Sequence, residues 1–195
     1  SLGASVRARR TVRKSSCSGR GLCRSRRLRL EPLEQRAMLT DYGMSATQNG
    51  SADTFRIVKS GSDILGYVNG SLAMTAPLTG LGLTGKITVT GSNDADTLTV
   101  DDSGGLLSGF GGIVFNAGGG ADQLILSGGT FATETYDVGT GVDTVVNSSG
   151  NAQVVTFTDI ESAQSSLTLD SLTVRGTSGN DTINYEQGAT SAYGK

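Results

Sequence analysis

The sequence predicts an all-β fold, a parallel β-helix or β-roll-like solenoid, preceded by a disordered basic leader. Three observations carry this expectation. Gly is abundant at 29 of 195 residues, while Pro is nearly absent, Trp and His are zero and aromatics are 5%. The apolar residues fall in short β-branched or aromatic runs bounded by Gly, Asn, Asp and Ser. A Gly/Asn-rich turn followed by Asp and a short strand recurs along the chain. A β-sandwich is the alternative architecture.

The net charge of -2 conceals two regions. Residues before 37 carry eleven Arg/Lys against two Glu, and the remainder carries five Arg/Lys against sixteen Asp/Glu. Residues 1–29 are rich in Arg, Ser and Gly and show no apolar periodicity, so they read as a disordered leader. Cys17 and Cys23 both lie there, so no disulfide can staple the rest of the chain. Without His or further Cys, the pair also lacks the ligands of a zinc site. The arm has no aromatic to stack on bases and adjoins an acidic body, which argues against a nucleic-acid partner. No run of eighteen apolar residues exists to form a membrane-spanning helix, and the basic stretch lacks the apolar segment of a standard signal peptide.

Residues 30–43 change character. Pro32 suits a first helical position, Glu31 and Glu34 the positive end of a helix dipole and Arg36 the negative end. A short helix is expected there. Residues 44–195 then read as the repeat region, with strands expected at 54–58, 86–89, 97–100, 113–115, 123–126, 144–146, 154–157, 172–174 and 182–185.

The repeat has five copies: NGSADTFRIV, GSNDADTLTV, AGGGADQLIL, VGTGVDTVVN and GTSGNDTINY. Asp53, Asp96, Asp122, Asp143 and Asp181 anchor them at spacings of 43, 26, 21 and 38 residues. These suggest a unit of roughly twenty residues, sometimes doubled. Gly supplies left-handed turn conformations, Asp caps the turn, and alternate apolar residues point to one side of the strand. No unit buries its own apolar face, so neighbours must stack. Phe157–Ser162 breaks the Gly-Asp pattern about one unit after Asp143 and reads as a rung lacking the glycine turn. Asp101-Asp102 reads as a solvated turn.

Two resemblances bear on function. Leu30-Glu31-Pro32-Leu33-Glu34-Gln35-Arg36-Ala37-Met38-Leu39-Thr40 resembles the LEPR-XLL motif, LExLExRxLLS, of large planctomycete surface proteins. It departs at Gln35, Met38 and Thr40. The resemblance implies export or surface sorting, hence an extracellular or cell-surface location. Gly176-Thr177-Ser178-Gly179-Asn180-Asp181-Thr182-Ile183-Asn184 is similar to hemolysin-type (RTX-like) calcium repeats, GGxGxDxUx. Gly139, Gly141, Asp143 and Val145, and Gly118, Gly120, Asp122 and Leu124, fit the same pattern. That likeness implies calcium as the one cofactor, with Asp96, Asp122, Asp143 and Asp181 as candidate metal ligands. In that family the repeats follow one another directly. Here a site would need the longer rungs to bring two Asp-bearing turns together, and the bland alternative is that the Asp residues are turn caps in a metal-free fold.

The absence of His excludes His-based acid–base or triad chemistry. The expected function is therefore a non-catalytic structural or adhesive surface protein, with a cell-surface polymer or self-association as the partner. The alternatives are a calcium-stabilised module and a carbohydrate-active β-helix. The chain stops just after a repeat with no evident cap, so a fragment or an open-ended protein is expected.

Overall fold

The computed structural model describes residues 41–47 and 49–180. The chain divides into a unit of residues 1–35 and a unit of residues 36–195. The leader, the short helix expected on residues 30–39, the fifth repeat copy around Asp181 and the strand expected at 182–185 lie outside the described residues. The end of the 30–43 segment, Tyr42 and Gly43, is strand.

The fold is mostly β, as the composition predicts. Among the described residues, eleven strands form one mixed sheet that nearly closes into a barrel. They are β1 (Tyr42–Ser45), β2 (Thr54–Ser60), β3 (Asp63–Val68), β4 (Ser71–Pro77), β5 (Ile87–Thr90), β6 (Thr97–Asp101), β7 (Ile113–Asn116), β8 (Gln123–Asp137), β9 (Val142–Val146), β10 (Ala152–Thr158) and β11 (Ser162–Arg175). One helical turn, Leu78–Leu81, and one 3-10 turn, Asp102–Gly104, interrupt them. The hydrogen-bonded order is β1-β5-β7-β10-β9-β8-β6-β2-β3-β4, with β11 on the far side of β8.

Two parallel columns run through this order. In one, β1, β5, β7 and β10 align Tyr42, Ile87, Ile113 and Val155. In the other, β2, β6, β8 and β11 align Thr54, Thr97, Gln123 and Ser162. Equal register puts like side chains on like. Met44, Val89, Phe115 and Phe157 stack in the first column, and Phe55, Leu98 and Leu124 stack in the second, all buried. Alternation along β2 and β6 sends Phe55 and Leu98 inward and Thr54, Arg56, Thr97 and Thr99 outward. Phe55 and Phe115 meet edge to face across the core, with ring centroids 6.5 Å apart.

Antiparallel hairpins join and extend the columns. β2, β3 and β4 form a meander. Its second turn is Asn69-Gly70, both at positive φ (50° and 76°), the pair a two-residue hairpin requires. β9 pairs antiparallel with both β10 and β8 and so bridges the two columns. β8 turns a corner at Gly128-Gly129, both at positive φ, and its second half pairs with β9 and with the end of β11.

Close stacking of the turns demands glycine at particular places. Gly118 (φ 102°) lies against the Ser92 carbonyl and Gly120 (φ 129°) against the Asp94 carbonyl, each too near for a Cβ. Gly119 N–H donates to Ser92 O at 2.9 Å, tying one turn to the next.

The stacked core predicts a graded response to truncation. Phe115→Ala, at 0% exposure in the centre of its column, should cost about 3–5 kcal/mol in urea unfolding. Leu83→Ala, at 83% exposure, should change stability by less than about 0.5 kcal/mol. Equal effects at the two sites would contradict the packing described.

Candidate functional site

Three of the repeat aspartates, Asp53, Asp96 and Asp122, come together as a column of hydrogen bonds. Each precedes the first residue of a strand in the second parallel column. Asp53 N–H donates to Asp96 Oδ1 at 2.8 Å, Asp96 N–H to Asp122 Oδ1 at 2.7 Å and Asp122 N–H to Glu161 Oε2 at 2.6 Å. The carbonyls run the opposite way: Asp53 O accepts from Thr97 N–H and Asp96 O from Gln123 N–H. A carboxylate that receives backbone N–H bonds is a charge-assisted acceptor, stronger than a neutral one.

The column is capped where it begins. Asp53 accepts from Thr47 N–H and Oγ1 and from Asn69 Nδ2 of the hairpin turn. These bonds, that from Asn69 foremost, hold its carboxyl below the usual range against the opposing effect of burial. Asp96 Oδ2 accepts from Ser92 N–H at 2.6 Å and from Ser92 Oγ at 3.0 Å. Asp122 is fully buried and its Oδ2 has no partner. Burial, only partly offset by the Asp96 N–H bond, raises its pKa.

The sequence-predicted ligands therefore separate. Asp96 and Asp122 stand in the column. Asp143 does not: it lies on antiparallel β9, opposite Tyr136 and Val155. The fourth place is taken by Glu161, whose longer side chain reaches up to the Asp122 amide. The rung read as lacking its glycine turn thus keeps a carboxylate. Among the described residues, no three His, Cys, Asp or Glu side chains are grouped to hold a metal ion.

Asp143 instead belongs to a second acidic cluster inside the sheet. Asp102, Glu134 and Asp143 are 1%, 2% and 1% exposed. Asp102 was expected in a solvated turn and is in fact buried, because the 3-10 turn Asp102–Gly104 folds it inward. It accepts from Gln153 Nε2 at 3.1 Å, and Gln153 Oε1 accepts from Leu107 N–H at 2.9 Å. Its neighbour Asp101 does face outward, bonded to Arg56, whose guanidinium lies 5.5 Å from the Tyr67 ring centroid. Glu134 accepts from Ser165 Oγ at 2.6 Å, and its carboxyl lies close enough to Asp143 to raise the Asp143 pKa. Asp102 Oδ1 and Asp143 Oδ1 have no partner. Burial first, and the neighbouring carboxylates second, push Asp143 up to about 8. Burial likewise pushes Asp102 up to about 7.

Glu134, Tyr136 and Asp143 form one wall of a recess of about 120 Å³. Leu126, Ala163, Gln164, Ser165, Leu172 and Val174 complete it. This cluster escaped the sequence reading, because only the hairpin β8–β9 and the buried 3-10 turn bring its members together. Glu134, an acid at an inward position of a strand, was its one visible sign.

Comparison of the chain with protein-family models, with curated proteins and with solved structures finds no match in any of the three. The described residues define a β-protein built on a single mixed sheet with two buried carboxylate groupings.

Asp53 and the raised carboxyls of the buried cluster have opposite pH signatures, and Asp122 of the column sides with the latter. Asp102 and Asp143 bind protons more tightly folded than unfolded, so their contribution to stability is complete below about pH 4 and is lost as pH rises through about 7 to 8. Asp53 has a lowered pKa, so its contribution is present above about pH 4 and is lost in acid. Thermal melting should thus show a midpoint that falls on both sides of mildly acidic pH. Asp143→Asn should flatten the alkaline limb and raise the midpoint at alkaline pH. A midpoint that climbs steadily from pH 5 to pH 9 would contradict the assignment.

Proposed function

We propose that this chain is a non-catalytic secreted or cell-surface repeat protein, with a structural or adhesive role and a stacked-coil body of the β-solenoid kind. The observation that carries this reading is the column from Asp53 through Asp96 and Asp122 to Glu161, which repeats in step with the parallel strands. Hydrogen bonds of this sort hold successive coils together. A hydrogen-bonded stack is suited to bearing load or presenting a surface.

The LEPR-XLL resemblance of residues 30–40 supports export, and the excess of acid over base after residue 36 suits an exposed location. A surface polymer or a second copy of the chain is the proposed partner. β11 lends weight to self-association: its 14 residues pair with β8 along one edge, and no described strand covers the other.

The calcium-stabilised alternative draws less support than the repeat motif suggested. Asp96 and Asp122 accept backbone N–H bonds in the column. The carbohydrate-active alternative would need a cleft with two separated carboxylates. Glu134 and Asp143 are both almost fully buried and share one small recess rather than flanking an open cleft. Their recess is also smaller than the roughly 300 Å³ at which ligand pockets begin.

Fractionation of cells expressing the full chain, followed by external protease treatment of intact cells, tests the reading. The chain should be found outside the cytoplasm and be cut by the protease. Deletion of residues 30–40 should retain it inside. A full-length chain that stays cytoplasmic and protected would reject a surface role.

A further inference from the structure

The recess beside the Glu134–Asp143 pair joins two features that recognise a single chemistry. Its base is acidic. Asp143 is 1% exposed, its Oδ1 has no partner, and Glu134 beside it is 2% exposed. Its sides are apolar: Leu126 is buried, while Leu172 (44% exposed) and Val174 (39% exposed) lie at the rim. No basic side chain lines it. An unpaired buried carboxylate oxygen is costly, and a donor that reaches it from outside relieves that cost.

Two classes of cation could supply the charge, and the walls decide between them. A calcium ion takes 6–8 oxygen ligands. The recess offers two carboxylates, the hydroxyls of Ser165 and Tyr136 and the amide of Gln164 amid methyl groups. Asp102 does not line it, and no three acids are grouped to hold a metal among the described residues. A primary ammonium needs only three acceptors at one end, and its methylene stem prefers apolar walls. A volume of about 120 Å³ suits a short stem rather than a substituted ring.

We propose that the recess lined by Glu134, Tyr136, Asp143, Leu172 and Val174 binds an aliphatic primary ammonium group, with the ammonium on the carboxylate pair and the stem against the leucine and valine. The group belongs either to a free alkylamine or to a lysine side chain of a partner.

Isothermal titration of the folded chain with n-butylammonium tests the proposal, at a pH above about 8 so that Asp143 is ionised and below the amine's own pKa of about 10.4. Saturable binding is expected. It should weaken about tenfold or more in Asp143→Asn and in Glu134→Gln, since each removes a charged acceptor. Ala163→Leu, which fills the recess and leaves both carboxylates in place, should also abolish it. Circular dichroism of each variant confirms that the fold is retained. Binding by a lysine blocked at both its α-amino and carboxyl groups supports a protein side chain as the source, and binding by n-butylammonium alone supports a free amine. The proposal is overturned if n-butylammonium does not bind, if n-butanol binds equally well, if calcium chloride binds at the site in its place, or if Asp143→Asn and Ala163→Leu bind undiminished.

Discussion

Three backbone N–H groups, those of Asp53, Asp96 and Asp122, find their acceptors in side chains one rung along the stack. That constraint shapes much else. A buried amide without an acceptor costs free energy comparable to a lost hydrogen bond. A carboxylate must therefore stand at each equivalent position, with the strand starting one residue later. Fixing the strand starts fixes the register of β2, β6, β8 and β11. Register in turn decides which side chains stack, because a slip of one residue would turn Phe55, Leu98 and Leu124 outward.

The same geometry explains the glycines. Asp96 can reach back to Ser92 only if the intervening turn is tight. The turn before Asp122 packs on the turn before Asp96, and Gly118 and Gly120 make that approach feasible. At the start of the column, where no earlier rung exists among the described residues, Thr47 and the hairpin residue Asn69 supply the donors. The hairpin therefore supplies a donor to the first carboxylate as well as extending the sheet.

Much of this was legible in the chain, for physical reasons. The turn–Asp–strand pattern located β2, β6, β8 and β9, because alternating apolar residues after a glycine-rich turn admit few other conformations. The pattern could not show that Asp143 leaves the column, since the direction in which a strand returns depends on contacts remote in sequence. β3 and β4 went unread although Asn69-Gly70 is a strong hairpin signal; the intervening Gly66 and Pro77 masked the alternation. The long second half of β8 was hidden by Gly128-Gly129, which bends the strand without ending it. Asp102 looked like a solvated turn because sequence carries no record of Gln153, 51 residues away, which holds it inside. The buried acidic cluster was illegible for the same reason.

Native-state hydrogen exchange of individual amides tests the central claim most directly. The Asp53, Asp96 and Asp122 N–H groups begin strands, where fraying is ordinarily expected, yet the carboxylate column predicts that they exchange only through global unfolding, as the amides of core strands do. In Asp96→Ala, the Asp53 amide should lose that protection first. Rapid exchange of all three amides in the unaltered protein, at rates matching those of the exposed Gly50 and Gly150 turns, would contradict the account.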